Sequence, residues 1–410
     1  MSRGGVQGFQ SERLGQVLAA RRLSQAQLAA LVGVSPATVS KWRSGNQAPE
    51  RNTLERLASV VNITPEWFIR APSAKVSLPL FRSNAPAHVA ARAMLEARME
   101  WAQDVAIALA EFVNYPPLNL PQRSFVEPDQ ITPSEIEQAA SECRDLWRLG
   151  RTAIQDLALA VESAGVIVIR EETGIPQIEG LSAWSSSLQC PLVLLSADKA
   201  NGYRSRFDLA HELGHLILHR YVPPPRPSER DRHNQLERQA HQFAGAFLLP
   251  AETFANEVRT PLTLDDLLLL KRRWGVSVAA IIMRLRALKI IDEDAAQLLF
   301  KRRSARWGAK AEPGDEDRPP EKPRLLRRTI DLLAEENVMP LATIPRHIGL
   351  SSHDIEMLVG MPEGYFQGNS NIVHLTQLRQ IERSTKTLDN NSNGSIIQFR
   401  ATSKAQYSQT

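Results

Sequence analysis

A mainly α-helical fold carrying one small β-sheet, an α+β arrangement, is what this 410-residue sequence predicts. Three observations point to it. The N-terminal part breaks into short, well-capped helices. Three apolar segments of strand length, 166–169, 178–184 and 192–195, lie close together. Two strongly apolar helices, 207–219 and 236–250, follow, and they carry histidines and acids that a buried helix does not hold without reason. The length allows two or three domains, each with its own core. With 43% apolar and 23% charged residues the composition is that of an ordinary soluble protein. No apolar run approaches the roughly eighteen residues of a membrane span, so no membrane partner is expected. The first residues show no signal-like apolar stretch, and Cys143 and Cys190 are isolated. Reduced thiols in a cytoplasmic protein are the expectation.

Residues 9–70 read as an all-α unit. Over residues 1–70, nine Lys and Arg stand against four Glu, a net +5 where the whole chain has +4. Such a local excess of positive charge suggests a polyanionic partner. A helix near 11–21 buries Leu14, Val17 and Leu18. Ser24 followed by Gln27 makes a capping box that opens a short helix to about Leu31. Gly33 supplies a turn, and Ser35-Pro36 is an N-cap with proline at the first helical position. That helix runs to about Arg43, and two more follow near 52–61 and 64–70. Two short helices about a glycine turn form a helix-turn-helix, whose second helix enters the DNA major groove. Leu28, Ala29, Val34, Val39 and Trp42 pack it. Pro36, Ala37, Thr38, Ser40 and Lys41 face outward for base edges and phosphates, and Gln25 stands where a donor meets phosphate. Through Leu23-Ser24-Gln25, Leu28-Ala29, Gly33-Val34-Ser35, Val39-Ser40, Trp42 and Gly45, residues 12–68 resemble the lambda-repressor-like DNA-binding domain of the Xre family. The resemblance implies a regulator bound to double-stranded operator DNA.

Residues 71–130 are expected as a linker, extended over 71–84, and a helical connector. An apolar-periodic helix runs over 86–113, and 86–128 is read as packing on the second domain, with a homodimer contact as a further role. Residues 131–303 read as the second domain. Its start, 132–164, is helical and closed by Gly165. The three strands come next, and 181–184 is the candidate sheet edge. His211 and His215 are four apart in the first apolar helix, so they lie on one face and can share one tetrahedral Zn²⁺. Glu212 stands beside them to take a proton from water. In the second apolar helix Glu237, Ala240 and Ala244 fall on one stripe. The small alanines allow close approach, which delivers Glu237 as third ligand and leaves a fourth position for water, the mark of a catalytic zinc. His219 lies on the same face as His215; a competing ligand role is open to it, and a cap on the helix's last carbonyls is the expected one. His233 is expected in solvated loop.

His211-Glu212-x-x-His215, with Arg204-Ser205-Arg206-Phe207-Asp208-Leu209-Ala210 ahead of it and Glu237, Ala240, Phe243, Ala244 and Leu248-Leu249-Pro250 behind, resembles the ImmA/IrrE family of metallopeptidases over roughly 150–290. The resemblance implies a zincin-like endopeptidase with Glu237 as third ligand, and a repressor or antitoxin-like protein as substrate. His241 departs from the small amide or acid of the family pattern. A run at 270–284 looks like another helix-turn-helix, too apolar to present a reading face, and is read as scaffold. Residues 304–324 are expected as a charged linker, 325–385 as a small helical C-terminal unit and 386–410 as a disordered tail. Cleavage in trans of a neighbouring repressor is favoured over self-cleavage within 223–232 or 304–324. The alternative is a non-proteolytic repressor or antitoxin whose zinc fold is a sensor.

Overall fold

The computed structural model describes residues 5–77, 89–175, 178–226, 228–308 and 311–367. Expectations for 78–88 and for 368–410, including the C-terminal tail, lie outside the described residues. The α+β class holds: helices dominate and the described strands form one three-stranded sheet.

The N-terminal helices are α1 (Ser11–Ala20), α2 (Gln25–Val32), α3 (Pro36–Arg43) and α4 (Arg51–Val61). The Ser24–Gln27 capping box is present in both directions. Gly33 ends α2 in the left-handed region at φ 73°, a conformation that favours glycine. The Ser35 side chain accepts from the Thr38 N–H. Residues 65–68 make a tight 3₁₀ turn rather than a further α-helix, because Trp67 and Phe68 turn into the core beneath α1.

The connector is α5 (Val89–Ala110), to which α1 is bolted by an Arg13–Asp104 ion pair and a Gln16–Glu100 hydrogen bond of 2.6 Å. Residues 132–164 do not run as one helix. They split into α6 (Pro133–Leu146) and α7 (Leu157–Ser163), since Arg144 turns in to bind the carbonyls of Gly150, Thr152 and Phe247. The sheet follows, with β1 (Ile167–Glu171), β2 (Gly180–Ser185) and β3 (Cys190–Ser196) in the order β1-β3-β2. β1 runs parallel to β3 and β2 antiparallel to it, so β2 is an edge strand.

Next come α8 (Gly202–Leu218), α9 (Arg230–Leu248), α10 (Ala251–Glu257), α11 (Leu264–Trp274), α12 (Val278–Ala287) and α13 (Glu293–Trp307). At the crossing of α8 and α9 a Cβ on Gly214 would lie 3.1 Å from Phe243 and 3.2 Å from the Ala240 backbone. The predicted small residue on α9 thus meets a glycine on α8, and the two helices touch nearly backbone to backbone. No helix among the described residues is long and apolar enough to cross a membrane.

Two expectations change. Residues 304–324 carry charge as anticipated, but two of the acids, Glu312 and Glu321, turn in to bind helix N-termini while Glu316 and Asp317 stay exposed. Glu312 is buried and accepts from the N–H groups of Val278 and Ala279, while Glu321 accepts from those of Leu157 and Ala158. The C-terminal helices α14 (Leu325–Glu335), α15 (Ile344–Ile348) and α16 (Ser352–Val359) form a brace. Asp354 of α16 pairs with Arg21 at the end of α1 and with Arg98 of α5, and Arg98 also pairs with Glu171 of β1. Four segments distant in sequence are joined by one buried charge cluster.

Candidate metal centre

The α8–α9 crossing sets the site. His211 and His215 point from one face of α8, and Glu237 reaches them from α9. His215 Nε2 lies 3.1 Å from His211 Nε2, and the Glu237 carboxylate oxygens lie 3.3 Å from His211 Nε2 and 3.4 Å from His215 Nε2. Ligand atoms about 2.0–2.1 Å from a tetrahedral ion are about 3.3 Å from one another, so this triangle has the edges of such a site. Its chemistry agrees. Burial pushes His211 down to about 3, which leaves a neutral imidazole with a lone pair to offer. Burial opposes ionisation of Glu237, but the two imidazoles beside it outweigh that and hold its carboxyl well below the usual range. Its Oε2 is buried with no hydrogen-bond donor aimed at it, although His211 Nε2 is within contact distance. Burial lowers His215, but Glu237 beside it outweighs that and raises it, so the metal-free cluster favours a proton there that a bound cation would replace.

Behind the triangle the protons can be assigned one by one. If His215 offers Nε2, its Nδ1 carries the hydrogen and donates to His219 Nδ1 at 2.9 Å. His219 then carries its hydrogen on Nε2 and donates to Gln239 Oε1 at 3.2 Å. The Gln239 amide donates in turn to the carbonyls of Pro128 and Ile131, at 2.8 and 3.1 Å. Every member is buried, and each donor has an acceptor. His219 occupies the C-cap position of α8 as anticipated, yet its ring serves His215 and not the last carbonyls. His233 is a correction: it lies inside α9 and is buried, because the helix begins at Arg230, upstream of the predicted start.

Glu212 faces β2. Ser182 Oγ donates to Glu212 Oε2 at 2.7 Å, and a Cβ on Gly180 would lie 3.2 Å from Glu212 Oε1. The edge strand therefore steers the carboxylate with a hydroxyl and passes it closely at residue 180, where a side chain would press against it. Neither residue was singled out from sequence; a serine and a glycine in a strand carry no spacing signal. His241 settles its departure from the family pattern. Its Nδ1 is 2.7 Å from the Glu237 carbonyl oxygen, and its ring packs edge-on against His211 with centroids 4.4 Å apart. It packs against two of the candidate ligands at once. Two cavities reach the cluster: one of about 500 Å³ bounded by Glu237, His241, Phe207 and Met283, the other of about 180 Å³ by His215, Ser182 and Trp184.

On the first domain, Pro36, Ala37, Ser40 and Lys41 of α3 are exposed, and Gln25 and Thr38 are half-buried. The Thr38 hydroxyl is 2.8 Å from that of Ser35, so it completes the cap as well as facing outward. Val39 and Trp42 are the buried residues of this helix, as the pattern required.

Residues 14–68 match the model of the helix-turn-helix family, and residues 161–286 match that of the IrrE N-terminal-like domain. The chain joins a DNA-binding helix-turn-helix to a metallopeptidase-like domain, which implies a metal ion. No curated protein matches it.

Proposed function

We propose that this chain is a cytoplasmic DNA-binding regulator whose second domain is a zinc-dependent endopeptidase, and that it cleaves a repressor or antitoxin-like protein to relieve repression. The observation that carries the reading is the His211–His215–Glu237 triangle with a carboxylate, Glu212, held beside it. His211 and His215 through Nε2, and Glu237 through its carboxylate, are the residues that would hold the ion. The chemistry such an ion supplies when bound is Lewis-acid activation of water and of a peptide carbonyl. Glu212 takes the proton of the attacking water and passes it to the leaving amine. Ser182 keeps Glu212 in place for both transfers, and the His219–Gln239 chain keeps His215 in the one tautomer that can act.

The edge strand β2 offers backbone groups with which an extended peptide pairs, which is how a peptidase holds many sequences in one geometry. The DNA-facing residues Gln25, Pro36, Ala37, Thr38, Ser40 and Lys41 place the peptidase at an operator. There its effective concentration toward a neighbouring DNA-bound protein is high. The test is incubation of the zinc-loaded chain with proteins bound at the same promoter, with and without chelator, and mapping of fragments by mass spectrometry. Chelator-sensitive cleavage of a partner is expected. Cutting only within this chain would overturn the trans reading. One zinc per chain with every partner whole would put the sensor in its place.

A further inference from the structure

The outer edge of β2 is already occupied at one point. Trp184 stands opposite Pro191 in the antiparallel pairing with β3, and proline has no N–H to offer. The peptide groups of Trp184 face outward, and both are engaged by one residue. Trp184 O accepts from the backbone N–H of Ser77 at 2.8 Å, and the Trp184 N–H donates to Ser77 Oγ at 2.8 Å. By strand alternation the backbone of Ser182, two residues along, faces the same way, and Ser182 is the residue that holds Glu212. Ser77, Ser182 and His215 bound the same cavity of about 180 Å³.

Residues 71–77 are fastened behind Ser77 along their length. Arg13 donates to the carbonyl of Ala71 at 3.3 Å, Ser73 Oγ donates to Asp104 at 3.0 Å, and Gln103 donates to the carbonyl of Ala74 at 2.9 Å. Val76 packs against the core. The strap thus starts on α1 of the DNA-binding domain, crosses α5 and ends on the strand beside the metal ligands.

We propose that residues 71–77 are an autoinhibitory strap, a resident occupant of the strand edge on which an extended peptide docks. The proposal rests on the peptidase reading of the site. A peptide that pairs with both Ser182 and Trp184 has to displace Ser77 first. Two hydrogen bonds from one residue hold the strap's end, so a longer strand can outcompete it. The strap also gives the DNA-binding domain a direct mechanical hold on access to the cleft, through Arg13 and Ala71.

The experiment compares two probes on the zinc-loaded full-length chain. Acetohydroxamate can reach only the metal; a dipeptidyl hydroxamate, succinyl-Leu-Ala-hydroxamate, also needs the strand edge. Ser77→Pro removes both the N–H and the hydroxyl, and Ser77→Ala removes only the hydroxyl. Ser77→Pro is expected to tighten the dipeptidyl probe about tenfold, the scale of one to two net hydrogen bonds, and Ser77→Ala less. Acetohydroxamate affinity stays constant across all three proteins, and melting curves show that each is folded. A dipeptidyl affinity unchanged by both variants, with acetohydroxamate still binding, overturns the strap alone. Equal tightening of both probes overturns it too, as a general loosening. Failure of both probes to bind any of the proteins removes the peptidase reading and the strap with it.

Discussion

The turn that leads into α3 and the turn that leads into α12 are the same piece of local structure with opposite fates. Gly33 and Gly275 sit at φ 73° and 70°, and the N-caps Ser35 and Ser277 both accept from the N–H three residues on. A third copy leads into α16, with Gly349 at φ 96° and Ser351 as N-cap. On α3 only Val39 and Trp42 are buried, so its outer face stays in water. On α12 Val278, Ala280, Ile281, Ile282, Arg284 and Leu285 are buried. The anion-favouring N-terminus of α12, where a DNA phosphate would sit, is filled by the chain's own Glu312. α16 is held by Asp354 in the buried charge cluster. A helix-turn-helix is therefore a local product, and whether it reads DNA depends on what covers its second helix.

The helix of the candidate metal site carries this contrast furthest, since α8 buries its polar side chains whereas α3 exposes them. Changes on buried helices should cost structure unless the residue serves chemistry alone, and changes on α3 should cost binding only. The largest effect tests that exception. Glu212→Gln is expected to keep about one zinc per chain by elemental analysis while cleavage falls by several orders of magnitude. Loss of metal along with activity would make Glu212 a structural residue. Glu312→Ala comes next. It strands Arg303, which is buried and paired to Glu312, leaves Lys271 with Asp315 alone, and should cost about 3–5 kcal/mol in denaturant titration. A near-neutral result would mean that the N-terminus of α12 is not closed by this acid.

Gln239→Ala interrupts the chain behind His215. It is expected to weaken zinc binding by about 10–100-fold, measured against a competing chelator, and to cost the metal-free protein about 1–3 kcal/mol, since the Pro128 and Ile131 carbonyls lose their donor. Stability lost with zinc affinity unchanged would make Gln239 a packing residue only. The smallest structural effect belongs to α3. Lys41→Ala should leave stability within about 0.5 kcal/mol. Its mark is on DNA: weaker duplex binding on all sequences and a log–log salt dependence shallower by about one. An unchanged salt slope would place Lys41 off the phosphate backbone.

Much of this was legible one segment at a time. The Ser24–Gln27 capping box, Gly33, the Ser35-Pro36 start, the His211–His215 spacing and the Glu237–Ala240–Ala244 stripe each lie within a few residues, and helical geometry alone turns such spacing into a shared face or a cap. Local rules also gave the three strands to within a few residues and the scaffold reading of the apolar turn near 275. They stop where a partner is remote. That His219 serves His215 depends on Gln239, which is itself oriented by carbonyls more than a hundred residues away. Ser182 meets Glu212, Ser77 meets Trp184, Glu312 meets the start of α12, and Asp354 meets Arg21 and Arg98, all by packing across the chain. Periodicity records which face of a helix is apolar, but not which distant polar group will lie against it. Burying a polar group is favourable only once its partner has been brought there, so these pairings belong to the tertiary structure.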